Sequence, residues 1–466
     1  MHRTIIHRLI ILCTCALAAT GFGESLKVGV ATTEITPPVG WRMSGYFYER
    51  FSTNTHDPLE AKAMVLQQGN EKAALVICDL IGISGELSTR VRQAASRKTR
   101  IPSANIMIAA THTHTGPLYM GGLREYFHSR AQRQTGSDPA ERVDYQGILE
   151  ARLVDLIAEA QRSMQPAYLE VASTKITNLS FNRRYVMKDG KVQTNPGKTN
   201  QNIARVAGPI DPELGFIAIM NGKRDEIRAT FTSFAMHPDT IGGTEYSADY
   251  PLYLEQSLRK LLVSDLVSLF GNGPCGNINH VDVFQAKPQK GQEEAERIGK
   301  AMSEAIGELL PKLRPIKKPA LRVGRETVVV PLQKFKAEAI VQAKADMAKI
   351  GGHEMTFLDQ VNTARIYDLQ FRGSSALELE VQGIALGSDT AIVTVPGELF
   401  CELGMAIKKG SPFTHTYIVE LCNDSIGYVP TRKAYAEGGY EPANSRLAPG
   451  GGEMLVEAAI KLLKKL

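Results

Sequence analysis

The chain has 466 residues, of which 43% are hydrophobic and 22% are charged, so it can form a large core of the kind found in soluble enzymes. Its formal charge of +5 falls to +3 when residues 1–23, which contain Arg3 and Arg8 and no acid, are set aside, and so small an excess argues against a nucleic-acid partner. Four cysteines remain outside that segment and lie far apart, which excludes a disulfide scaffold and leaves room for one bridge.

The first 23 residues have the pattern of a secretory signal. Basic residues are followed by an apolar run over residues 9–19 and by small residues near 21–23. The run is too short for a stable membrane anchor, and no other stretch is long and apolar enough to cross a bilayer. We therefore predict a secreted or periplasmic protein without a transmembrane anchor, in which residues 24–466 form the mature chain.

The first half of the mature chain alternates between strand and helix patterns. A helix is predicted over residues 84–97, with Ser84 as its N-cap, and a long amphipathic helix over residues 140–164. The polar residues 118–138 are predicted to form a long surface loop. Apolar strand patterns occupy residues 26–31, 59–67, 72–79 and 106–110.

The second half continues this alternation. Strands over residues 214–220 and 227–236 are predicted to pair as a hairpin across Asn221-Gly222. The charged residues 337–367, broken at Gly351-Gly352, are interpreted as a solvated helical pair without chemistry, with a lid as the alternative. Further helix patterns cover 250–263 and 292–313, and further strand patterns cover 266–270, 320–330, 377–385, 390–395 and 414–421. Because no repeat or linker interrupts this order, we predict one α/β domain over residues 24–466, with mixed sheets and flanking helices.

The most specific motif is Thr111-His-Thr-His-Thr-Gly-Pro117, at the end of the strand pattern 106–110. If the strand continues through it, its period of two places His112 and His114 on one face. Ligands of open α/β sheets collect beyond the carboxyl ends of strands, so this position suits a metal or a proton-transfer site. Both histidines could bind a metal, or one could bind it while the other transfers protons. The alternative is that one packs in the core and the other is solvated.

Other predicted strands also end in residues that can bind a metal. Nitrogen and oxygen donors form catalytic zinc sites, in which one coordination position stays open to water. Two alternatives remain: Glu398 could cap the helix that follows it, and Tyr428 could be a core residue. The candidate donors are Asp79, His112, His114, His237, Glu398 and Tyr428.

These motifs resemble those of the neutral (non-lysosomal) ceramidase family. The histidine motif is similar to that family's T-H-T-H-S-G-P, and other segments follow in the family's order over residues 26–465. The resemblance implies the fold of the family's catalytic domain. The other matching segments are Asn182-Arg183, Phe234-Ala-Met-His237, Ser247-Ala-Asp249, Pro396-Gly-Glu398, Asn423 to Thr431, and Tyr440-Glu-Pro-Ala-Asn-Ser445.

The resemblance also implies a role for each candidate site residue. The family's zinc ligands correspond to His112, His237, Glu398 and Tyr428. The residues that flank the metal, or contact the substrate during catalysis, correspond to His114, Tyr440 and Arg183. Substrate-binding positions correspond to Asn182, Arg184 and Asn279.

Two departures from the family concern the substrate. The family segment that supplies an active-site serine aligns with Gly276-Asn-Ile-Asn-His280, where Asn279 or one of its neighbours stands in the serine's place. The chain also ends after its last predicted helix, without the family's C-terminal immunoglobulin-like domain. The zinc donors are retained, whereas ceramide becomes a doubtful substrate.

We predict a zinc-dependent hydrolase that cleaves an amide (N-acyl) bond in a small-molecule, lipid or glycan substrate. Zinc polarises the carbonyl and the water, and His114 acts as general base and then as acid. Tyr440 with Arg183 helps to hold the oxyanion or an acidic group of the substrate. Two alternatives remain, a zinc-dependent polysaccharide lyase acting on a uronate-containing glycan and a non-catalytic binding protein on the same fold. No prediction of oligomeric state follows from the sequence.

Overall fold

Three mixed β-sheets form the centre of the computed structural model, which describes residues 25–466. The predicted signal segment lies outside the described residues. In order across each sheet, the strands of the first are Ile106–Ala110, Glu71–Cys78, Glu60–Gln68, Lys27–Glu34 and Gln165–Pro166; those of the second are Val267–Asn272, Ile227–Phe234, Glu213–Met220, Tyr168–Lys175 and Arg314–Pro315; those of the third are Arg322–Pro331, Ala376–Ala385, Thr390–Thr394 and His415–Val419.

Each of these three sheets has a parallel strand pair at one edge, while its other neighbouring strands are antiparallel. Parallel neighbours end at the same edge of a sheet, and the carboxyl ends of such strands are where ligand sites form. Each sheet therefore offers one candidate position for functional residues. The parallel pairs are Ile106–Ala110 with Glu71–Cys78, Val267–Asn272 with Ile227–Phe234, and His415–Val419 with Thr390–Thr394.

The three sheets share one hydrophobic core between their inner faces. Met64 of the first sheet, Phe231 of the second and Ile392 of the third all belong to it. Residues along a strand alternate between two faces, so Ala63 and Val65 pack on the outer side, against helices. Because both faces are covered, these strands appear in the sequence as nearly continuous apolar runs.

A pair of helices covers the outer face of each sheet. In chain order the helices are α1 (Gly85–Thr99), α2 (Gly121–Thr135), α3 (Tyr145–Arg162), α4 (Tyr250–Leu261), α5 (Gln292–Leu309), α6 (Ala337–Asp346), α7 (Phe357–Arg372), α8 (Cys401–Gly410), α9 (Arg432–Glu437), α10 (Tyr440–Asn444) and α11 (Gly451–Leu463). Helices α1 and α3 cover the first sheet, α4 and α5 the second, and α8 and α11 the third.

Four smaller sheets lie in the connections between these elements. Three of them are two-stranded, and the pair that contains Glu398 and Tyr428 contributes to the site described below. The strands are Asn54–Thr55 with Glu245–Tyr246, Phe181–Asn182 with Ile278–Asn279, Glu398–Leu399 with Tyr428–Val429, and the three-stranded set Val192–Thr194, Arg184–Met187 and Ile203–Val206.

The predicted fold class is confirmed: the protein is α/β, with mixed sheets and flanking helices. The hairpin across Asn221-Gly222 forms as predicted. Helix α1 follows the predicted N-cap Ser84, whose hydroxyl accepts the N–H of Leu87 at 3.2 Å. These features were predictable because they depend on residues close together in the sequence.

The predicted surface loop over residues 118–138 is wrong, because most of it is helix α2. This helix has no continuous apolar stripe, and Phe127 is one of its few buried side chains. Ion pairs hold it instead, from Arg124 to Glu141 and from Arg130 to Glu49. A polar helix held by distant partners leaves no apolar periodicity in the sequence.

The state of the cysteines and the hydropathy of the helices can be described for residues 25–466. Cys78, Cys275, Cys401 and Cys422 are buried and free, so the bridge that the sequence allowed does not form among them. None of the helices in this range combines the length and the hydropathy that a membrane crossing requires. The boundaries of the single domain remain a prediction.

Candidate metal centre

Three potential metal ligands meet where one strand from each large sheet ends. His112 follows the edge strand of the first sheet, His237 follows a strand of the second and Glu398 follows a strand of the third. The Nε2 atoms of His112 and His237 lie 3.0 Å apart. Oε2 of Glu398 lies 3.4 Å from Nε2 of His112 and 3.5 Å from Nε2 of His237. Three of the predicted zinc donors therefore lie together.

The hydrogen bonds of the two histidines fix their protons away from this meeting point. Nδ1 of His112 donates to the carbonyl oxygen of Ile81 at 2.6 Å, and Nδ1 of His237 donates to that of Cys275 at 3.0 Å. A neutral imidazole that donates from Nδ1 has a lone pair on Nε2. Oε2 of Glu398 is buried and has no hydrogen-bond partner among the described residues. Two lone pairs and an unpartnered carboxylate oxygen need a cation between them, so this donor set fits zinc.

Burial and mutual contact determine the protonation states of His237 and Glu398. Burial lowers the pKa of His237 to about 3, so its ring is neutral at pH 7. Burial alone would raise the pKa of Glu398, but the adjacent His112 and His237 outweigh it and lower that pKa well below its ordinary value. Neutral imidazole and ionised carboxylate are the forms that bind metal ions.

His112 reaches the centre through a backbone turn. The strand ends at Ala110, and His112 has φ +78°, in the left-handed region that residues with a side chain rarely adopt. The N–H of His112 donates to the carbonyl oxygen of Leu80 at 3.0 Å, which holds this conformation. The sequence analysis placed His112 and His114 on one face of a continued strand. That reasoning is wrong, because neither residue lies in a strand.

His114 lies beside His112 and His237, but unlike them it forms no hydrogen bond to a backbone carbonyl of the described residues. Its ring centroid is 5.0 Å from that of His112 and 5.5 Å from that of His237. Both of its ring nitrogens are buried without a hydrogen bond to the described residues, and Nδ1 is 3.4 Å from Oδ1 of Asp239. Burial lowers the pKa of His114 well below its ordinary value. One nitrogen from each of the three histidines lies within 4.8 Å of the others, so the three could also hold a metal together.

The short strand Glu398–Leu399 brings Glu398 beside Tyr428. It pairs in parallel with Tyr428–Val429, with Glu398 directly opposite Tyr428. Helix α8 begins later, at Cys401, with Phe400 at its N-cap, so Glu398 does not cap that helix. Tyr428 is buried, its ring stacks near that of His237 at 6.4 Å, and burial raises its pKa well above the ordinary value. Its position fits both a core residue and a metal ligand, and the ligand role stays a prediction.

Arg183 and Tyr440 lie on the Tyr428 side of the centre. The Arg183 guanidinium is 5.3 Å from the Tyr428 ring and 5.9 Å from the Tyr440 ring. Burial acts to lower the pKa of Arg183, but Tyr428 and Glu441 outweigh it and raise that pKa, so the group stays charged. Burial raises the pKa of Tyr440 to about 12, so its hydroxyl keeps its proton at pH 7. Arg183 can therefore supply positive charge, and Tyr440 a proton donor, beside the donor set.

The contacts of Asn182 and Arg184 do not support their predicted roles in substrate binding. Asn182 donates from Nδ2 to the carbonyl oxygen of Pro209 at 2.8 Å and accepts the N–H of Arg184 at 3.0 Å. The Arg184 side chain is fully buried, and its Nη1 donates to Oε2 of Glu441 at 3.0 Å. Their polar groups are occupied inside the protein, so we interpret both residues as supports for Arg183.

Asn279 is also engaged with protein groups. Its Nδ2 donates to Oδ1 of Asn195 at 3.0 Å, and its Oδ1 accepts the N–H of Val281 at 3.1 Å. It lies on the short strand Ile278–Asn279 and is largely buried. These two hydrogen bonds hold the Asn279 side chain against other protein groups. Its role in substrate binding stays a prediction.

A buried pair that the sequence analysis did not single out, Glu420 and Cys275, links two of the donors. Oε1 of Glu420 accepts Sγ–H of Cys275 at 2.9 Å, and Oε2 accepts the N–H of Leu399 at 2.7 Å. The carbonyl of Cys275 holds His237, and Leu399 follows Glu398, so Glu420 connects both supports. Burial raises the pKa of Glu420 well above its ordinary value. An isolated Glu at the end of a strand carried no signal for this role.

Tyr46 is a second residue that sequence reasoning missed. Its ring lies edge-on to His114, with centroids 6.1 Å apart, and its hydroxyl is 3.5 Å from Oδ1 of Asp239. The available signal was the cluster Tyr46-Phe-Tyr48 in an otherwise polar loop. Aromatic residues in such loops favour a role in binding.

Asp79, a candidate donor in the sequence, lies away from the donor set and holds the segment before His112. Its Oδ1 accepts the hydroxyl of Thr111 at 3.2 Å, and its Oδ2 accepts the N–H of Glu60 at 3.0 Å. Burial raises the pKa of Asp79 to about 7, although Lys62 acts to lower it. We interpret Asp79 as a structural acid.

The Asp79→Asn variant is expected to change the pH dependence of stability. Folded Asp79 keeps its proton to about pH 7, whereas the unfolded chain releases it near the ordinary aspartate pKa. The folded state thus binds more protons over this range, and wild-type stability falls as the pH rises, by up to about 1.4 kcal/mol per pH unit. In urea unfolding, Asp79→Asn should gain stability relative to wild type between pH 5 and pH 8. A difference that does not change with pH would contradict this assignment.

A second group of possible ligands lies away from the centre. His128, Asp138 and Glu141 are close enough to hold a metal. Their carboxylates already have cationic partners, however, since Arg42 pairs with Asp138 and Arg124 pairs with Glu141. Despite burial, Arg42 and His128 lower the pKa of Asp138. This group is balanced without a metal and provides a control for the experiments below.

A cavity of about 640 Å³ opens beside Glu398. Residues of helices α2 and α7 line it, together with Phe47. Phe357, the first residue of α7, contacts Phe47 and Tyr440, with ring centroids 6.0 Å and 5.4 Å away. Helix α7, which belongs to the segment that the sequence analysis left without chemistry, therefore borders the site. The lid alternative stays a prediction.

Fold and site together define an α/β protein whose candidate metal centre lies where three mixed sheets meet. Residues 26–247 match the family described as "Neutral/alkaline non-lysosomal ceramidase, N-terminal". Over these residues the chain matches the family that its motifs resemble. The fold is similar to that of neutral ceramidase from Pseudomonas aeruginosa, with TM-score 0.70 and 18% identity, covering 95% of this chain and 75% of that one. A ceramidase complexed with C2 has TM-score 0.70 and 17% identity, with coverages of 95% and 76%. At these identities the likeness establishes the fold.

Proposed function

We propose that this protein is a zinc-dependent hydrolase that cleaves an amide (N-acyl) bond, and that it acts outside the cytoplasm, secreted or periplasmic. One observation carries the proposal: two imidazole lone pairs and the unpartnered oxygen of Glu398 lie within 3.5 Å of one another. The match to the ceramidase family model over residues 26–247 supports hydrolysis. The apolar N-terminal segment supports export.

His112, His237 and Glu398 would hold the zinc ion, with Tyr428 or His114 as a further donor. The ion would supply Lewis acidity, which lowers the pKa of water and polarises a carbonyl oxygen. Histidine and carboxylate ligands with one open position are typical of catalytic zinc. The carbonyl oxygens of Ile81 and Cys275 would orient the two imidazoles through their Nδ1 protons.

His114 is placed to move the protons of the reaction. Amide hydrolysis adds water across the C–N bond, so the acyl carbon gains a hydroxyl and the amine nitrogen gains a proton. Both nitrogens of His114 lack a hydrogen bond within the described protein, which leaves the ring able to accept a proton from water and deliver it to the leaving nitrogen. Asp239, 3.4 Å from Nδ1, would stabilise the imidazolium between these two transfers.

Arg183 and Tyr440 would stabilise the negative charge that develops on the carbonyl oxygen. Arg183 is charged and fixed, since Nε donates to Oε1 of Glu441 at 2.9 Å and Nη2 donates to the carbonyl oxygen of Gly276 at 2.8 Å. Tyr440 keeps its proton and can donate it in a hydrogen bond. Fixed donors of this kind stabilise an oxyanion because they need no reorganisation during the reaction.

The direct test compares two products. Wild-type protein should release a primary amine from members of an N-acyl amide panel, lose this activity in a zinc chelator, and regain it when zinc is returned. Uronate-containing glycans form the second panel. An ultraviolet-absorbing unsaturated sugar from them, without amine release, would replace hydrolysis by the lyase alternative. If the protein catalyses neither reaction and a zinc assay shows that it does not bind zinc, the binding-protein alternative is favoured.

A further inference from the structure

The cavity beside Glu398 contains one arginine, Arg365, that none of its acids pairs with. Arg365, Arg372 and Arg446 line it together with the carboxylates Asp368 and Asp424. The other charged lining groups have partners of their own: Arg124 pairs with Glu125 and Glu141, and Glu86 pairs with Arg90. Glu398 contacts His112 and His237 in the candidate metal centre.

Two of the three guanidinium groups share the two carboxylates. Nε of Arg372 lies 3.2 Å from Oδ2 of Asp368, and its Nη1 lies 3.9 Å from Oδ2 of Asp424. Arg446 also pairs with Asp368. Arg446, Arg372 and a hydrogen bond from the Gly122 N–H outweigh burial and lower the pKa of Asp368, so this acid is ionised.

Arg365 is left without an acid. It has no carboxylate within ion-pair distance among the described residues. Its Nη1 and Nη2 donate to the neutral side-chain oxygens of Gln333 at 3.2 Å and Asn362 at 2.9 Å, and Nε has no partner. The residue is only 8% exposed and its guanidinium lies 4.9 Å from the Phe335 ring. A guanidinium has five N–H donors, so donors remain unused.

Two helix N-termini strengthen the positive potential of the same cavity. Ser84 to Glu86 at the start of α1, and Met120 to Gly122 at the start of α2, line the wall. The positive end of a helix dipole favours anions. The backbone N–H groups of Gly85 and Gly122 donate to Asp424 and Asp368. Each of these two acids therefore contacts both a helix N-terminus and an arginine. Among residues 25–466, no acid that lines the cavity is left to pair with Arg365.

We infer that the cavity binds an anionic group of the substrate, a carboxylate or a phosphate, and that Arg365 receives it. A buried charge without a counter-charge is costly, and a guanidinium pairs well with either anion. The inference rests on the proposed function in one respect: it places the anionic group in the same molecule as the bond that is cleaved beside Glu398. It narrows the substrate class to an acidic amide and away from a neutral lipid.

The experiment measures binding by calorimetry at constant ionic strength, with three probes that share a skeleton: glucuronate, glucose 6-phosphate and glucose. At least one charged probe should bind wild type about tenfold or more tightly than glucose does. The Arg365→Gln variant should lose this preference, and Arg365→Lys should retain part of it, because a lysine keeps the charge and loses the planar fork. The matched control is Arg297→Gln, which removes an arginine paired with Glu294 on α5, outside the cavity.

Each outcome decides a point. The better charged probe identifies the anion as carboxylate or phosphate. Equal binding of all three probes to wild type, or undiminished anion binding by Arg365→Gln, would overturn the inference. In anion-free buffer the Arg365→Gln variant should have a Tm at or above that of wild type, because an unpaired buried charge has been removed; a lower Tm would also count against it.

The His112→Ala variant separates this inference from the proposed function. It should lose zinc and hydrolysis and keep anion binding that depends on Arg365. Anion binding without amine release by wild type would leave the inference standing and the proposed function refuted. The reverse result, amine release from neutral amides with no anion preference, would refute the inference alone.

Discussion

The His112→Ala variant is expected to lose both the metal and the activity. Replacing a residue that only orients a metal ligand typically costs about 10- to 100-fold in metal affinity or activity. Loss of a ligand should therefore reduce amine release by more than about 100-fold. Zinc content, measured by mass spectrometry of the purified protein, should fall from near one ion per chain to a small fraction. His237→Ala should behave in the same way, because its Nε2 occupies the equivalent position.

The matched control is His128→Ala. His128 contacts Asp138 at 2.8 Å in the arginine-balanced group away from the centre. It should keep its zinc and its activity. Retention of zinc by His112→Ala, or amine release that survives both this substitution and a chelator, would refute the metal proposal. Circular dichroism of each variant would separate loss of the metal from loss of the fold.

The Glu441→Gln variant is expected to lose several kcal/mol of stability. Glu441 is completely buried, and its two carboxylate oxygens accept from Arg183 at 2.9 Å and from Arg184 at 3.0 Å. Oε2 also accepts the hydroxyl of Thr194 at 2.8 Å. Neutralising the acid leaves two buried guanidinium groups without their shared counter-charge, and breaking a buried pair in this way costs about 3–5 kcal/mol.

Urea unfolding of Glu441→Gln and Glu437→Gln would test this expectation. Glu437 contacts Arg184 at 3.3 Å but is partly exposed, so its loss should cost about 1 kcal/mol or less. Equal costs for the two variants would contradict the central position of Glu441. Any Glu441→Gln protein that folds should also bind substrate less well, because Arg183 loses one of the bonds that fix it.

Much of the fold could be predicted because its signals are local. The apolar strand runs, the Ser84 cap and the Asn221-Gly222 turn each depend on neighbouring residues. The donor set was also accessible, since histidines and an acid placed just beyond predicted strands fall at the carboxyl ends where sites form. The resemblance to the ceramidase family added Tyr428, Tyr440 and Arg183, which residue types alone would not have selected.

The remaining features depend on long-range contacts. The left-handed backbone of His112 is held by Leu80 and leaves no mark in the sequence. Helix α2 is held by ion pairs to distant segments, so it was mistaken for a loop. Asn182 and Arg184 form hydrogen bonds to Pro209 and Glu441, which are distant in the sequence. Their internal role is therefore evident only from the folded structure.

The division of the donors among three sheets limits how this protein can be cut or exchanged. The stretch that matches the family ends at residue 247, before the second sheet receives its edge strand Val267–Asn272 and before the third sheet begins. A fragment of that length would expose the apolar inner faces of two sheets and would lack Glu398, Tyr428 and Tyr440. It could neither bury its core nor complete a pocket. The two halves of the chain therefore depend on each other. A recombinant protein that took either half from a distant relative would need new packing between the sheets as well as a complete set of site residues.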